Sequence, residues 1–179
     1  MKKISNFLFF FLFISLIISS CKKEDDSVLG CTNSNAMNYN SEATSNDGSC
    51  LIAYDIAQGV WNLAPNCEEI NIPLIGSISL NEQMPETVNV LGGGGNTLYI
   101  NLSLNSGSSE VSGQIDNEGN ITVPSQNITV DVGMGAMDIA VSGSGKINSP
   151  TLGEIDLTFS GTVQGIIPFS TECFMTLSK

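Results

Sequence analysis

Leu98-Tyr99-Ile100-Asn101-Leu102-Ser103-Leu104-Asn105 is the stretch that decides the fold. Aliphatic side chains take every second position and more polar ones lie between, so an extended segment here has one apolar face and one wet face. A helix would place its apolar positions three and four apart instead. The same period of two returns at Ile70, Ile72 and Leu74, at Val111, Gly113 and Ile115, and at Ile128, Val130 and Val132. It returns again at Ile139 and Val141, and at Ile155, Leu157, Phe159, Gly161 and Val163. Turn-forming clusters at 81–85, 92–96, 105–107, 116–120 and 148–150 separate these runs. From about Ala53 onward the chain reads as roughly eight to ten short antiparallel strands with no helix between them. The fold class expected is all-β, an antiparallel meander closed as a barrel, with a β-sandwich as the alternative.

The N-terminal residues set the compartment. Lys2 and Lys3 precede an apolar run from Phe7 to Ile18, and the small residues Ser19 and Ser20 stand directly before Cys21. This is the order of a secretory signal, and the apolar run is short for a membrane-spanning helix. Ile18-Ser19-Ser20-Cys21 resembles a lipobox, in which the cysteine becomes the acylated N-terminus. The alternatives are an ordinary signal peptide or an uncleaved anchor, and both also export the chain. Lys22-Lys23-Glu24-Asp25-Asp26-Ser27 is charged and aperiodic, and reads as a solvated tether. The division expected is therefore a signal peptide over 1–20, an acidic tether over 21–29, a small cysteine-bracketed module over 30–50 and a β domain over 51–179.

Removing residues 1–20 takes Lys2 and Lys3 away and leaves 4 Lys against 18 acidic residues, a charge of −14. Such a surface repels nucleic acid and anionic headgroups, so no nucleic-acid partner is expected. With Cys21 assigned to lipid, Cys31, Cys50, Cys67 and Cys173 form an even set in an oxidising compartment. Four cysteines allow three pairings. Cys31 and Cys50 bracket one compact polar segment and Cys67 and Cys173 bracket most of the remainder, which favours those two bridges. A zinc site would want histidine or a CxxC pair, and the sequence has neither.

Residues 30–50, GCTNSNAMNYNSEATSNDGSC, are rich in Asn, Ser, Thr, Asp and Gly and suit a turn-built fold held by side-chain to backbone hydrogen bonds. Gly30, Cys31, Ala36, Asn38, Tyr39, Asn40, Ala43, Asp47, Gly48, Ser49 and Cys50 match a short module of secreted and surface proteins of Bacteroidetes, which this segment resembles. It departs from that pattern at Asn33-Ser34, where Asp-Pro is usual, and at Asn46, which replaces an Asp. A weak calcium loop would draw on Asn33, Asn38, Asn40 and Asp47, with Glu42 the one other carboxylate, but calcium prefers more charge than this. A turn-rich spacer with Tyr39 as its apolar plug is the favoured reading, and no cofactor is then needed. The charged run after Cys21 is similar to the surface-export signal of lipoproteins of the same bacteria, which implies display on the outer face of the outer membrane. Asp26-Ser27-Val28 resembles their short O-glycosylation site.

Gly59-Val60-Trp61 near the start of the β region looks like the G-x-W of lipocalins. That resemblance implies a lipocalin-like barrel and, as one function, carriage of a small apolar ligand. The arginine that commonly packs on this tryptophan in lipocalins is missing, since the chain has none, and so is a Thr-Asp-Tyr signature. Residues 121–126, 142–145 and 171–173 further resemble a recurrent surface-lipoprotein domain. In a closed barrel Cys67, in an early strand, and Cys173, in the last one, would be on neighbouring strands and lock the seam.

Catalytic constellations are scarce. With no histidine the Ser-His and Cys-His pairs are impossible, and the chain is not expected to be an enzyme. A remote alternative, a carboxylate-based glycoside hydrolase, would need a pair such as Glu68 with Glu69, Asp116 with Glu118, or Glu154 with Asp156. Gly92-Gly93-Gly94-Gly95 lacks a following Lys-Ser or Lys-Thr and reads as a hairpin tip, not a phosphate loop. Met134 and Met137 are candidates for a cavity mouth. The functional reading is a lipid-anchored surface lipoprotein whose β domain makes non-catalytic protein or glycan contacts, with the apolar carrier as the alternative.

Overall fold

The structure, a computed structural model, describes residues 26–72, 76–104, 107–131, 136–163 and 165–179, with the backbone alone at 103, 104, 107, 108, 130, 131 and 136. The signal segment, Cys21 and most of the tether, together with Leu74, Asn105, Val132 and Met134, lie outside the described residues.

The alternating runs form a closed barrel of eight antiparallel strands. They are β3 (Gly59–Cys67), β6 (Thr87–Gly94), β7 (Thr97–Leu104), β8 (Gly107–Ile115), β9 (Asn120–Asp131), β10 (Ala136–Ser149), β11 (Leu152–Val163) and β12 (Ile167–Ser178). Each pairs with the next in this order, and β12 returns to β3, so the meander closes on itself and the sandwich alternative is excluded. Closure removes the exposed edges that an open sheet would leave. The seam between first and last strand carries Cys67 directly opposite Cys173, and the two are bonded. Cys31 is bonded to Cys50, so the pairing matches the one favoured by their spacing.

The period of two translates into burial. On β11, Gly153, Ile155, Leu157, Phe159 and Val163 face inward, and on β12 Thr171, Cys173, Met175 and Leu177 do so. Leu98 and Leu102 of β7 and Val111 and Ile115 of β8 complete the opposite wall. Glycines on the inner face of β10 let neighbouring strands coil closely: a Cβ at Gly143 would collide with the Asp156 carbonyl. The 92–96 tip is a tight turn with positive φ at Gly94, Gly95 and Asn96, a conformation suited to a two-residue hairpin loop.

Two features of the β domain depart from the sequence reading. Residues Ala53–Ala57 form a short helix, α1, where extended structure was expected. Ala53 and Ala57 are one helical turn apart and both buried, so a single turn meets the need to cover the barrel end, and five residues are too few to show a helical period. The alternating run at Ile70–Ile72 is not a barrel strand. It forms β4 (Ile70–Ile72), which pairs only with β5 (Gly76–Ile78) in a separate hairpin between β3 and β6. Its Ile70 and Ile72, with Leu80, join the central core.

The 30–50 module holds two short parallel strands, β1 (Leu29–Gly30) and β2 (Ser45–Asn46). Its interior is the Cys31 sulfur and Ala36, whereas Tyr39 is 48% exposed and is not the plug. An interior this small is filled by one disulfide and one methyl group, leaving no volume for a phenol ring.

Candidate functional site in the barrel interior and at its closed end

An eight-stranded barrel is just wide enough for side chains to fill it or for one small guest. Here a cavity of about 40 Å³ remains, walled by Trp61, Leu63, Val88, Val90, Leu98, Leu102, Leu157, Met175 and other apolar side chains. A water needs roughly 10–15 Å³, so the space suffices, but a water there would find no hydrogen-bond partner and the cavity favours apolar contents. Pockets for drug-sized ligands run to about 300–1,000 Å³, so this cavity is well below that size.

One end of the barrel is closed by α1 and the residues around it. Trp61 is fully buried beneath the helix, and its indole Nε1 donates to the Ala57 carbonyl at 2.7 Å. The Lys179 ammonium donates to the carbonyls of Ile56 and Gln58, both at 2.7 Å, and stands 4.2 Å from the centre of the Trp61 ring. Three successive carbonyls at the helix C-terminus, which the helix itself cannot pair, therefore each meet a donor. Burial pulls the Lys179 pKa below the ordinary lysine value. On the far side of α1, the Tyr54 hydroxyl accepts the Gly94 N–H at 2.9 Å and the Gln58 side chain donates to the Tyr54 carbonyl. Lys179 thus fills the place for which an arginine was sought. Sequence inspection missed it because it stands 118 positions from Trp61, outside any local pattern.

The small module packs on this same end. Asn117 in the 116–120 turn donates to the Asn35 side chain at 3.1 Å, and Met37 packs against the barrel core. Asp116 holds the turn by accepting from the Asn120 backbone and side chain, both at 2.8 Å, and from the Glu118 N–H. The Asn120 side-chain bond, more than any other influence, keeps the Asp116 carboxyl below the ordinary aspartate range.

At the other end, Cys67 is framed by Asn81, whose side-chain oxygen accepts the Cys67 N–H at 2.8 Å. Thr171, buried among apolar neighbours, donates its hydroxyl to the Glu68 carbonyl at 2.8 Å. The carboxylate pairs of the remote hydrolase alternative, Glu68 with Glu69, Asp116 with Glu118 and Glu154 with Asp156, are all exposed. Met137 is half-buried against the core.

Asn33, Asn38, Asn40 and Asp47, considered for calcium, are all engaged in hydrogen bonds with nearby backbone. The side-chain oxygens of Asn33, Asn40 and Asp47 accept backbone N–H groups two residues ahead, from Asn35, Glu42 and Ser49. Asn38 spans the module, accepting from the Leu51 N–H and donating to the Ser49 carbonyl. The hydrogen bonds from Ser49 hold the Asp47 pKa below its ordinary value. Among the described residues no group of three or more His, Cys, Asp or Glu side chains is placed to hold a metal ion.

No family model matches the chain, and no curated protein matches it in sequence. The eight-stranded meander closed between its first and last strands is consistent with a lipocalin-like barrel, and Trp61 of Gly59-Val60-Trp61 is buried inside it.

Proposed function

We propose that this chain is an exported lipoprotein, acylated at Cys21 and held by a short acidic tether on the outer face of the outer membrane, whose barrel serves as a non-catalytic binding module. The observation that carries the binding reading is that the cavity walled by the described residues is too small for a drug-sized guest. With about 40 Å³ of apolar space in that cavity, recognition of a protein or glycan is assigned to the outer surface and the strand ends. The anchor reading is supported by the order of Lys2-Lys3, the apolar run and Ser19-Ser20-Cys21. The calcium-free spacer reading of the module is supported by the use its Asn and Asp side chains make of nearby backbone.

The experiment is expression of the full chain and of Cys21→Ser in a lipoprotein-exporting bacterium fed a palmitate analogue. The expected result is label and membrane fractionation for the parent and neither for the variant. Membrane association of Cys21→Ser without label would refute the lipid anchor.

The wholly apolar wall supports a second reading, carriage of a small apolar guest. Native mass spectrometry of the oxidised protein decides between them: a mass equal to the chain with two disulfides supports the filled module, and extra mass that survives gentle conditions supports the carrier.

A further inference from the structure

The eight ladders of the barrel are unequal. β11 and β12 pair without interruption from Leu152 with Ser178 to Val163 with Ile167, and β10 pairs along most of its length with both β9 and β11. The Cys67–Cys173 bond then fastens β12 to β3. These five strands make one continuous, covalently pinned sheet. β6, β7 and β8 make another, joined internally from Asn89 with Asn101 to Gly94 with Thr97 and from Thr97 with Gln114 to Leu104 with Gly107.

The two sheets meet along two short ladders. β3 and β6 pair between Gly59–Asn62 and Thr87–Val90, with one further bond from the Leu63 N–H to the Glu86 carbonyl at 2.8 Å. β8 and β9 pair only at Gln114 with Thr122 and Ile115 with Ile121. Both lie at the α1 end. Further along β9 the chain bulges against β10 around Pro124, which has no N–H to offer a ladder. Among the described residues no strand pairing joins 109–113 to 123–129.

Side chains bridge that stretch instead. The Gln126 carboxamide accepts the Ser112 N–H at 2.9 Å and donates to the Ser112 carbonyl at 2.7 Å, as a facing peptide group would. Ser109 donates its hydroxyl to the Thr129 carbonyl at 2.8 Å.

From this asymmetry we infer that β6–β8 is a flap, hinged at the α1 end and latched along β9 by Gln126, which undocks from the pinned five-stranded sheet before the protein unfolds globally. The inner face of the flap carries Val88, Val90, Leu98, Leu102 and Val111, and these form one wall of the cavity. Undocking therefore opens the apolar interior sideways while the disulfide-bonded wall stays intact. Once undocked, three strands with no partner for their apolar face lose their own ladders, because a small sheet needs packing to persist in water.

Residue-resolved hydrogen exchange of the full oxidised chain tests the flap. The hydrogen-bonded amides within 98–102 and 109–113 are expected to exchange on the order of 100-fold faster than those of β11 and β12 at low denaturant. In Gln126→Ala the flap amides should exchange about tenfold faster still, with β11 and β12 unchanged. Equal exchange of flap and β11–β12 amides in the parent protein overturns the flap, and acceleration of all strands alike in Gln126→Ala overturns the latch. If the variant does not fold, the comparison within the parent protein still decides on the flap.

Discussion

Replacing Lys179 by Met tests how the closed end is held. The substitution keeps the apolar stem and removes the charge, so packing against the barrel is largely preserved. Lost are the ammonium contact with the Trp61 ring at 4.2 Å and the two 2.7 Å bonds to Ile56 and Gln58. A cation over an indole is worth about 0.5–2 kcal/mol, and a hydrogen bond from a charged group about 1.5–3 kcal/mol before exposure is counted. Lys179 is exposed enough for water to replace part of what is removed, so the net loss expected is about 2 kcal/mol. For a chain of this size that lowers the midpoint of thermal unfolding by roughly 4–8 °C. Circular dichroism melts of the parent, Lys179→Met, Trp61→Phe and the double variant form a cycle in which the two sites couple by about 0.5–1 kcal/mol. Lys179→Arg should recover most of the loss, since a guanidinium also stacks on indole and donates. A Lys179→Met midpoint within about 1 °C of the parent would refute the clamp.

Replacing both Cys67 and Cys173 by Ser opens a 106-residue loop in the unfolded chain and should cost up to about 4–5 kcal/mol in the chain-entropy model, read from urea unfolding of the oxidised parent and the variant. Gly119→Ala places a Cβ 2.5 Å from the Ile147 carbonyl at a φ of 84°, and is expected to cost at least about 2 kcal/mol while pushing on the Met37 methyl 3.1 Å away; an unchanged melting midpoint refutes that strain. The Asp116 carboxyl titrates lower folded than unfolded, so its contribution is complete above the unfolded value near about 3.9 and is lost as pH falls below that through the folded value. In an NMR titration Asn120→Ala should move the Asp116 pKa upward, and no movement refutes the assigned cause. Adding a calcium chelator should leave the amide spectrum of residues 30–50 unchanged, and shifts centred on Asn33, Asn38, Asn40 and Asp47 would restore the calcium-loop reading.

Much of the barrel was legible because strand alternation is a local signal. Leu98, Ile100 and Leu102 declare their face within five residues, and the same holds for Ile155, Leu157 and Phe159. The seam was legible for a different reason: a closed sheet brings an early strand beside the last one, where a cysteine in each can be bonded. Ile70 and Ile72 misled because a hairpin with one buried face alternates just as a barrel strand does, and periodicity carries no information about which sheet a strand joins. Tyr39 misled through composition, since an aromatic ring in a polar segment invites burial, yet the module closes on Cys31 and Ala36.

What stayed illegible shares one physical character: polar side chains standing in for peptide groups. Lys179 and Trp61 supply the donors that a continuing helix would have provided to Ile56, Ala57 and Gln58. Asn81 pairs with the Cys67 backbone where β3 has left its neighbour, and Gln126 offers Ser112 both halves of an amide where β9 has bulged away. Each replacement is needed because a buried or strand-edge backbone group without a partner costs about as much as a lost hydrogen bond. The need arises only once the topology is fixed, so no pattern of neighbours along the chain announces it. A side-chain substitute also differs from a ladder in one consequence: it can be withdrawn by a rotamer change, without moving the strand that carries it. The places where this barrel depends on Gln126 and Ser109 in place of a ladder are therefore the places where it opens with the fewest bonds broken.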